Sequence, residues 1–119
     1  MDIPIVRCAE AMLIYAEALN EISYPNTAAF TALNAVRTNA GITVLTEVTL
    51  TEQAGFRAAV FTERRLELAL ECDRWFDIVR TGQMPAIFPL VNDFRRYYPV
   101  PQTEIQNITN QTGWQNEGY

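Results

Sequence analysis

Carboxylate and arginine side chains alternate along one stretch of the sequence, and this stretch has the greatest potential for chemistry. Glu63, Glu67 and Glu71 recur at four-residue steps, which places them on one face of a helix. Two carboxyl groups flanking a cleft can serve as general acid and base, as in glycoside hydrolysis, if one of them stays protonated. An arginine beside a carboxylate instead lowers its pKa. We therefore favour a structural charge network over an acid–base pair. Its predicted members are Glu63, Arg64, Glu67, Glu71, Arg74, Asp77 and Arg80.

Several of these charges lie three residues apart, within reach of one another on one helix. Arg7 and Arg37, from earlier parts of the chain, can supply further partners. Trp75 lies between two network members, and we expect it to anchor the network structurally. The predicted pairs within the helix are Arg64–Glu67, Glu71–Arg74, Arg74–Asp77 and Asp77–Arg80.

The residues that the sequence lacks exclude most familiar catalytic arrangements. It has no histidine and no lysine, so Ser-His-Asp and Cys-His nucleophiles and Schiff-base lysines cannot be built from it. Its five glycines never approach the G-x-G-x-x-G pattern of dinucleotide sites. A net charge of -5 disfavours nucleic acid, whose phosphates require a basic face. We expect no enzyme activity, no cofactor and no metal site.

Two cysteines and one tryptophan are further candidates for function. Cys8 and Cys72 are too few for a metal site, and we favour two free thiols in the core over a disulfide. Trp114 belongs to an irregular segment, where binding residues concentrate. It is a weak candidate for ligand contact, because packing of the tail explains it as well.

Three helices and a tail account for these residues, and they predict an all-α domain over residues 1–119. The helices span about residues 3–22, 27–40 and 52–81, and the irregular tail spans 82–119. The short turn at 23–26 makes the first two an antiparallel hairpin. The third is long enough that we expect a break in its middle. The apolar stripe of the first helix comprises Cys8, Met12, Tyr15 or Ala16, Leu19 and Ile22, with Asp2 as cap and Pro4 in the first turn.

Four blocks of residues follow one another along nearly the whole chain. The first two are Arg7-Cys8-Ala9-Glu10 with residues 13–18, and residues 33–37 with Ala40-Gly41. The third is the charged stretch 63–80, and the fourth combines Pro99-Val100-Pro101, Glu104-Ile105 and the ending 115–119. Together these blocks resemble the C-terminal part of the SusD/RagB family. One departure is Cys72, which stands where the family usually has glycine.

The resemblance implies a function that composition does not show. Family members are outer-membrane surface lipoproteins that bind oligosaccharides or other nutrients above a TonB-dependent transporter of the SusC type. Their helical part resembles tetratricopeptide repeats, and their glycan contacts usually lie outside the C-terminal part. The resemblance therefore implies a fragment that serves as a tetratricopeptide-like helical scaffold in glycan uptake, with its lipid anchor outside this chain. The alternative is a free-standing helical-repeat module for protein–protein interaction.

Overall fold

The described residues, 6–109 and 113–119, form helices and loops in this computed structural model, with no strand among them. The chain divides into two compact units, Met1–Arg74 and Trp75–Tyr119, which are described separately. The prediction of a single domain over 1–119 stays a prediction. The elements are α1 (Cys8–Ile22), α2 (Thr27–Asn39), α3 (Gln53–Glu67), α4 (Arg74–Arg80), α5 (Met84–Ile87), a 3-10 helix (Asp93–Arg96) and α6 (Gln102–Gln106).

The predicted antiparallel hairpin of α1 and α2 is confirmed. Asn26 ends the short turn and caps α2, because its side-chain oxygen accepts hydrogen bonds from the backbone N–H groups of Ala28 and Ala29 at 3.0 and 3.2 Å. The first turn of α1 and the last turn of α2 line one cavity, which requires the helices to run in opposite directions. A linker connects this tetratricopeptide-like pair to α3. The N-terminal end of α3 lies beside the C-terminal end of α1.

The first helix begins later than its sequence indicates. Val6 and Arg7 are not helical, and α1 starts at Cys8 rather than near residue 3. The predicted roles of Asp2 and Pro4 lie outside the described residues. The Arg7 side chain makes no capping bond to α1, and it reaches α3 instead.

The buried face of α1 differs from the predicted apolar stripe. Leu13, Ala16 and Asn20 are buried, whereas Met12, Tyr15 and Ile22 are exposed. The reason is that α1 contacts both α2 and α3. The side chains buried between these two neighbours therefore differ from the single apolar row that the sequence suggests. The core of the first unit comprises Leu13, Ala16, Ala29, Phe30, Ala32, Leu33, Val36, Phe56 and Val60.

Side chains of the hairpin fix the linker that joins α2 to α3. Asn34 pairs with the backbone of Leu45 in both directions, because its side chain donates to the carbonyl and accepts from the N–H at 2.8 Å each. Arg37 donates to the Thr43 carbonyl at 2.8 Å, and the Tyr24 hydroxyl donates to the Leu50 carbonyl. These contacts satisfy backbone groups that neither helix nor sheet would pair.

The predicted third helix is two helices, because the helical conformation is interrupted between Glu67 and Arg74. Leu70 and Cys72 in this break have positive φ angles of 71° and 69°. L-residues with a side chain rarely adopt this left-handed conformation, and it favours glycine. The glycine that the family usually has in place of Cys72 would fit this backbone without strain.

Both cysteines are free, as predicted, but neither is in the core. Cys8 and Cys72 are exposed, which corrects the expectation of two buried thiols. Cys8 is the first residue of α1, and Cys72 lies in the break before α4.

The second unit contains more regular structure than its prolines suggest. Pro85 occupies the first turn of α5, and Pro101 directly precedes α6, so both stand where a helix does not need their missing N–H. The irregular tail predicted over 82–119 therefore includes three short helical segments. No helix among the described residues is long and apolar enough to cross a membrane.

The left-handed conformation of Cys72 predicts that glycine stabilises the chain at this position. We expect Cys72→Gly to raise the free energy of unfolding by about 0.5–1 kcal/mol, because it removes the steric penalty of the side chain. Urea unfolding under reducing conditions measures this change. The matched control is Cys72→Ala, which removes the thiol and keeps the penalty, so its stability should equal that of the wild type. A gain of equal size in both variants would attribute the effect to the thiol and contradict the prediction.

Candidate functional site

Arg7 joins the start of α1 to the end of α3. Its guanidinium donates to the Glu67 carboxylate at 3.1 Å and to the backbone carbonyl of Glu67 at 2.8 Å. It also forms two contacts with the Glu71 carboxylate, at 2.9 and 2.8 Å. Hydrogen bonds to Glu71 and then to Glu67 raise the pKa of Arg7 above its usual range. One arginine thus pairs with two carboxylates and donates to a backbone carbonyl at the end of α3.

Arg37 holds the most deeply buried member of the predicted network. Its guanidinium lies 2.6 Å from the Glu63 carboxylate, and Glu63 is only 2% exposed. The same arginine donates to the Thr43 carbonyl of the linker. The expectation that Arg7 and Arg37 supply further partners is therefore confirmed, with Arg7 lying just before α1 and Arg37 on α2. Arg37 therefore supplies the partner that a buried carboxylate such as Glu63 needs.

The opposite end of α1 is also joined to α3 by polar side chains. Gln53 donates to the backbone carbonyl of Asn20 at 2.6 Å. Arg57 makes two parallel contacts with the Glu21 carboxylate, both at 2.6 Å. The Arg57 hydrogen bonds are the largest cause of a lowered pKa for Glu21, and the bond to Glu21 raises the pKa of Arg57. Two separate polar contacts therefore set the position of α1 along α3.

The later members of the predicted network are distributed differently. The Asp77 carboxylate accepts two contacts from the Arg80 guanidinium, at 2.9 and 2.8 Å, so this predicted pair is present. Arg64 is buried, with 5% of its surface exposed. Arg74 makes no hydrogen bond or ion pair within the part of the chain that the structure describes. Trp75 lies beside Tyr98, with ring centroids 6.5 Å apart. The roles of Arg74 in the network and of Trp75 as its anchor stay predictions.

Four carboxylates of the predicted network each contact an arginine. Glu63 pairs with Arg37, Glu67 and Glu71 pair with Arg7, and Asp77 pairs with Arg80. This is the arrangement of structural ion pairs, whereas glycoside hydrolysis uses two carboxyl groups that flank a substrate cleft. Among the described residues, no group of three histidine, cysteine or acidic side chains could hold a metal ion.

The two parts of the fourth block contact each other in the second unit. The Gln115 side chain pairs with both backbone groups of Val100, at 2.8 and 3.0 Å, and Asn116 donates to the Tyr98 carbonyl at 2.6 Å. Gly118 has a φ of 95°, and a Cβ there would lie 2.5 Å from the Phe94 ring. The ending of the chain thus fits against residues 94–100. Sequence reasoning missed this pairing, because Gln115 and Val100 are 15 residues apart and no local pattern connects them.

Each unit also contains a cavity that the sequence did not predict. The cavity of the first unit, of about 490 Å³, lies between the start of α1 and the end of α2 and includes Cys8 and Met12 in its lining. The cavity of the second unit, of about 400 Å³, is lined mainly by aromatic and aliphatic side chains. Trp114 is 54% exposed and lines neither cavity, so its candidacy for ligand contact stays a prediction.

The fold and these contacts define an all-α segment with a tetratricopeptide-like hairpin, and comparison with known proteins gives its family. The profile of the SusD family matches residues 1–88. Three proteins of Formosa agariphila are similar. SusD-like protein P25 is 36% identical and covers 86% of this chain, P2 is 40% identical and covers 88%, and P38 is 33% identical and covers 76%. No solved structure gives a significant match.

The chain belongs to the SusD family. It spans 19%, 24% and 19% of the lengths of P25, P2 and P38, so it corresponds to about a fifth to a quarter of each relative. The family comprises non-catalytic nutrient-binding lipoproteins of the outer-membrane surface.

Removal of the Arg37 side chain should destabilise the chain strongly. Arg37→Met leaves the buried Glu63 carboxylate without its partner and breaks the bond to the Thr43 carbonyl. We expect the free energy of unfolding to fall by about 3 kcal/mol in a urea titration. The control is Arg65→Met, at an exposed position on α3, which should change stability by less than about 0.5 kcal/mol. Equal losses in the two variants would contradict the role assigned to Arg37.

The Glu21–Arg57 pair predicts a contribution to stability that acid removes. Because folding lowers the pKa of Glu21 from the ordinary value of 4.5, the pair stabilises the chain above that pH and loses its effect as pH falls through the lower, folded value. We expect Glu21→Gln to reduce stability at pH 6 and to unfold with a shallower acid dependence. Urea titrations between pH 6 and pH 3 measure both effects, which should be modest because the pair is exposed. Identical acid profiles would contradict this account, and high salt should reduce the difference between the variants.

Proposed function

We propose that this chain is a non-catalytic helical scaffold within a surface lipoprotein that captures glycans for a SusC-type TonB-dependent transporter. Family membership carries the proposal. Since the chain is about a fifth to a quarter as long as its relatives, capture and delivery belong to the whole protein that contains it. We propose that the main glycan contacts of that protein lie in loops outside this segment.

The assignment of a scaffold role rests on how the motif residues are used. Arg7, Asn34 and Arg37, from the first two blocks, bind linker backbone or carboxylates within the first unit. Gln115 and Asn116, from the last block, bind the backbone of their own unit. Side chains that are committed to internal partners position helices, and they leave few groups for recognition of a soluble substrate.

The outward face of α1 supports a scaffold that packs against other parts of the same protein. Met12, Tyr15 and Ile22 are 36%, 54% and 78% exposed, and they lie on one side of the helix. Helical hairpins of repeat proteins bury such a face against the neighbouring hairpin. In the proposed parent protein, this face contacts another helical hairpin.

The same apolar face favours one second candidate, a free-standing module that binds a helical segment of another protein. The two candidates differ in what accompanies the chain in the cell. The scaffold requires a polypeptide four to five times longer in the outer membrane, as the lengths of the relatives indicate. The module requires a product near 13.5 kDa and a different protein as partner.

Affinity isolation from the source cells tests the proposal. The protein that carries this chain is tagged at its native locus, extracted from outer membranes in mild detergent, and analysed by gel and mass spectrometry. We expect a heavy lipoprotein together with a TonB-dependent transporter in comparable amounts. An unrelated tagged surface lipoprotein is the control. Recovery of a 13.5 kDa product without transporter would contradict the proposal and favour the interaction module.

A further inference from the structure

The cavity of the second unit has the construction of a small-molecule site. Its volume is about 400 Å³, within the range of ordinary ligand pockets. Met84, which is 2% exposed, and Phe88 give it an apolar lining. Trp75 and Tyr98 line the same cavity, with ring centroids 6.5 Å apart and planes inclined at 58°. Such rings present flat apolar faces to a ligand.

Three of the residues that line the cavity carry hydrogen-bond donors without a partner among the described residues. The Trp75 indole N–H, the Tyr98 hydroxyl and the Arg95 guanidinium make no hydrogen bond within residues 6–109 and 113–119 as described. Arg95 is exposed and lies 5.5 Å from the centre of the Phe94 ring, so its guanidinium is supported by an aromatic face. An apolar cavity with a few unused donors matches the general pattern of a binding site.

One wall of this cavity is fixed by the ending of the chain. Tyr119 lines the cavity, packs edge-on against Phe94 at 5.1 Å, and donates its hydroxyl to the Tyr97 carbonyl at 2.9 Å. Asn116 holds the Tyr98 carbonyl at 2.6 Å. The aromatic lining is therefore held by hydrogen bonds within its own unit, which preorganises it for a ligand.

We propose that this cavity binds a sugar unit that carries an anionic group, a carboxylate or a sulfate. Aromatic faces contact the C–H face of the sugar ring, while Arg95 pairs with the anion through two parallel hydrogen bonds. The proposal rests on the proposed function in glycan capture, and it adds a second glycan contact within the scaffold segment.

Calorimetric titration of the 119-residue chain tests the proposal with three probes of equal length. These are a tetragalacturonate, a sulfated carrageenan tetrasaccharide and a neutral galactotetraose. We expect one anionic probe or both to bind about tenfold more tightly than the neutral one at low salt. The better of the two anionic probes identifies carboxylate or sulfate as the preferred group. Equal affinity for the neutral probe, or no binding of either anionic probe, overturns the proposal.

Variants locate the binding at this cavity. Arg95→Gln should weaken the better anionic probe about tenfold, and Arg95→Lys should restore part of the affinity because it keeps the charge without the planar fork. Tyr98→Ala should weaken the anionic and neutral probes alike. Arg65→Gln, which removes the same charge from an exposed position in the first unit, is the matched control and should leave affinity unchanged. Unchanged affinity in Arg95→Gln overturns the proposal.

These outcomes are separable from the fate of the proposed function. If the parent lipoprotein is isolated with its transporter but the anionic probes do not bind this chain, only the cavity proposal fails. If the chain binds the anionic probe through Arg95 but no transporter accompanies the parent protein, the cavity site stands and the uptake function fails.

Discussion

The first unit depends on arginines that reach from one helix to the carboxylates and backbone carbonyls of another segment. Arg7 binds the side chain and carbonyl of Glu67 together with Glu71, and Arg37 binds Glu63 and the linker at Thr43. Apolar side chains alone tolerate sliding of helices, whereas a paired buried carboxylate has one satisfactory position. These contacts join Arg7 and α2 to α3, and Arg37 also binds the linker at Thr43.

The second unit uses neutral groups for the same purpose. Gln115 and Asn116 form hydrogen bonds with the backbone around residues 98–100, and Gly118 allows the ending to approach the Phe94 ring. The prolines in this region remove backbone donors, so amide side chains take over part of the pairing that a sheet or helix would supply. The aromatic cavity is a consequence of this arrangement, because its lining residues belong to the same segments.

The sequence predicted the helical class, the hairpin and the break after α3, because these follow from apolar spacing, Pro25 and length. It also indicated that Arg7 and Arg37 would serve the charge network. It was right about Ala16 on the buried face of α1 but missed Leu13 and Asn20, and it wrongly included Met12 and Ile22. A helix that packs on two neighbours carries two apolar rows, and one sequence does not show which row becomes the centre. Asn34 and the cavity around Arg95 depend on distant backbone, so no local pattern indicated them.

The central claim is that the charged motif residues of the first unit build the scaffold and do not contact the glycan. Arg7→Met in the full-length lipoprotein separates these roles, with Arg65→Met as its exposed control. Surface abundance is measured by labelling of intact cells, and glycan affinity by titration of the purified protein. We expect a several-fold loss of surface protein for Arg7→Met, because the contacts of Arg7 affect folding alone. The glycan affinity per folded molecule should be unchanged within about twofold. Normal abundance with a large loss of glycan affinity would contradict the claim.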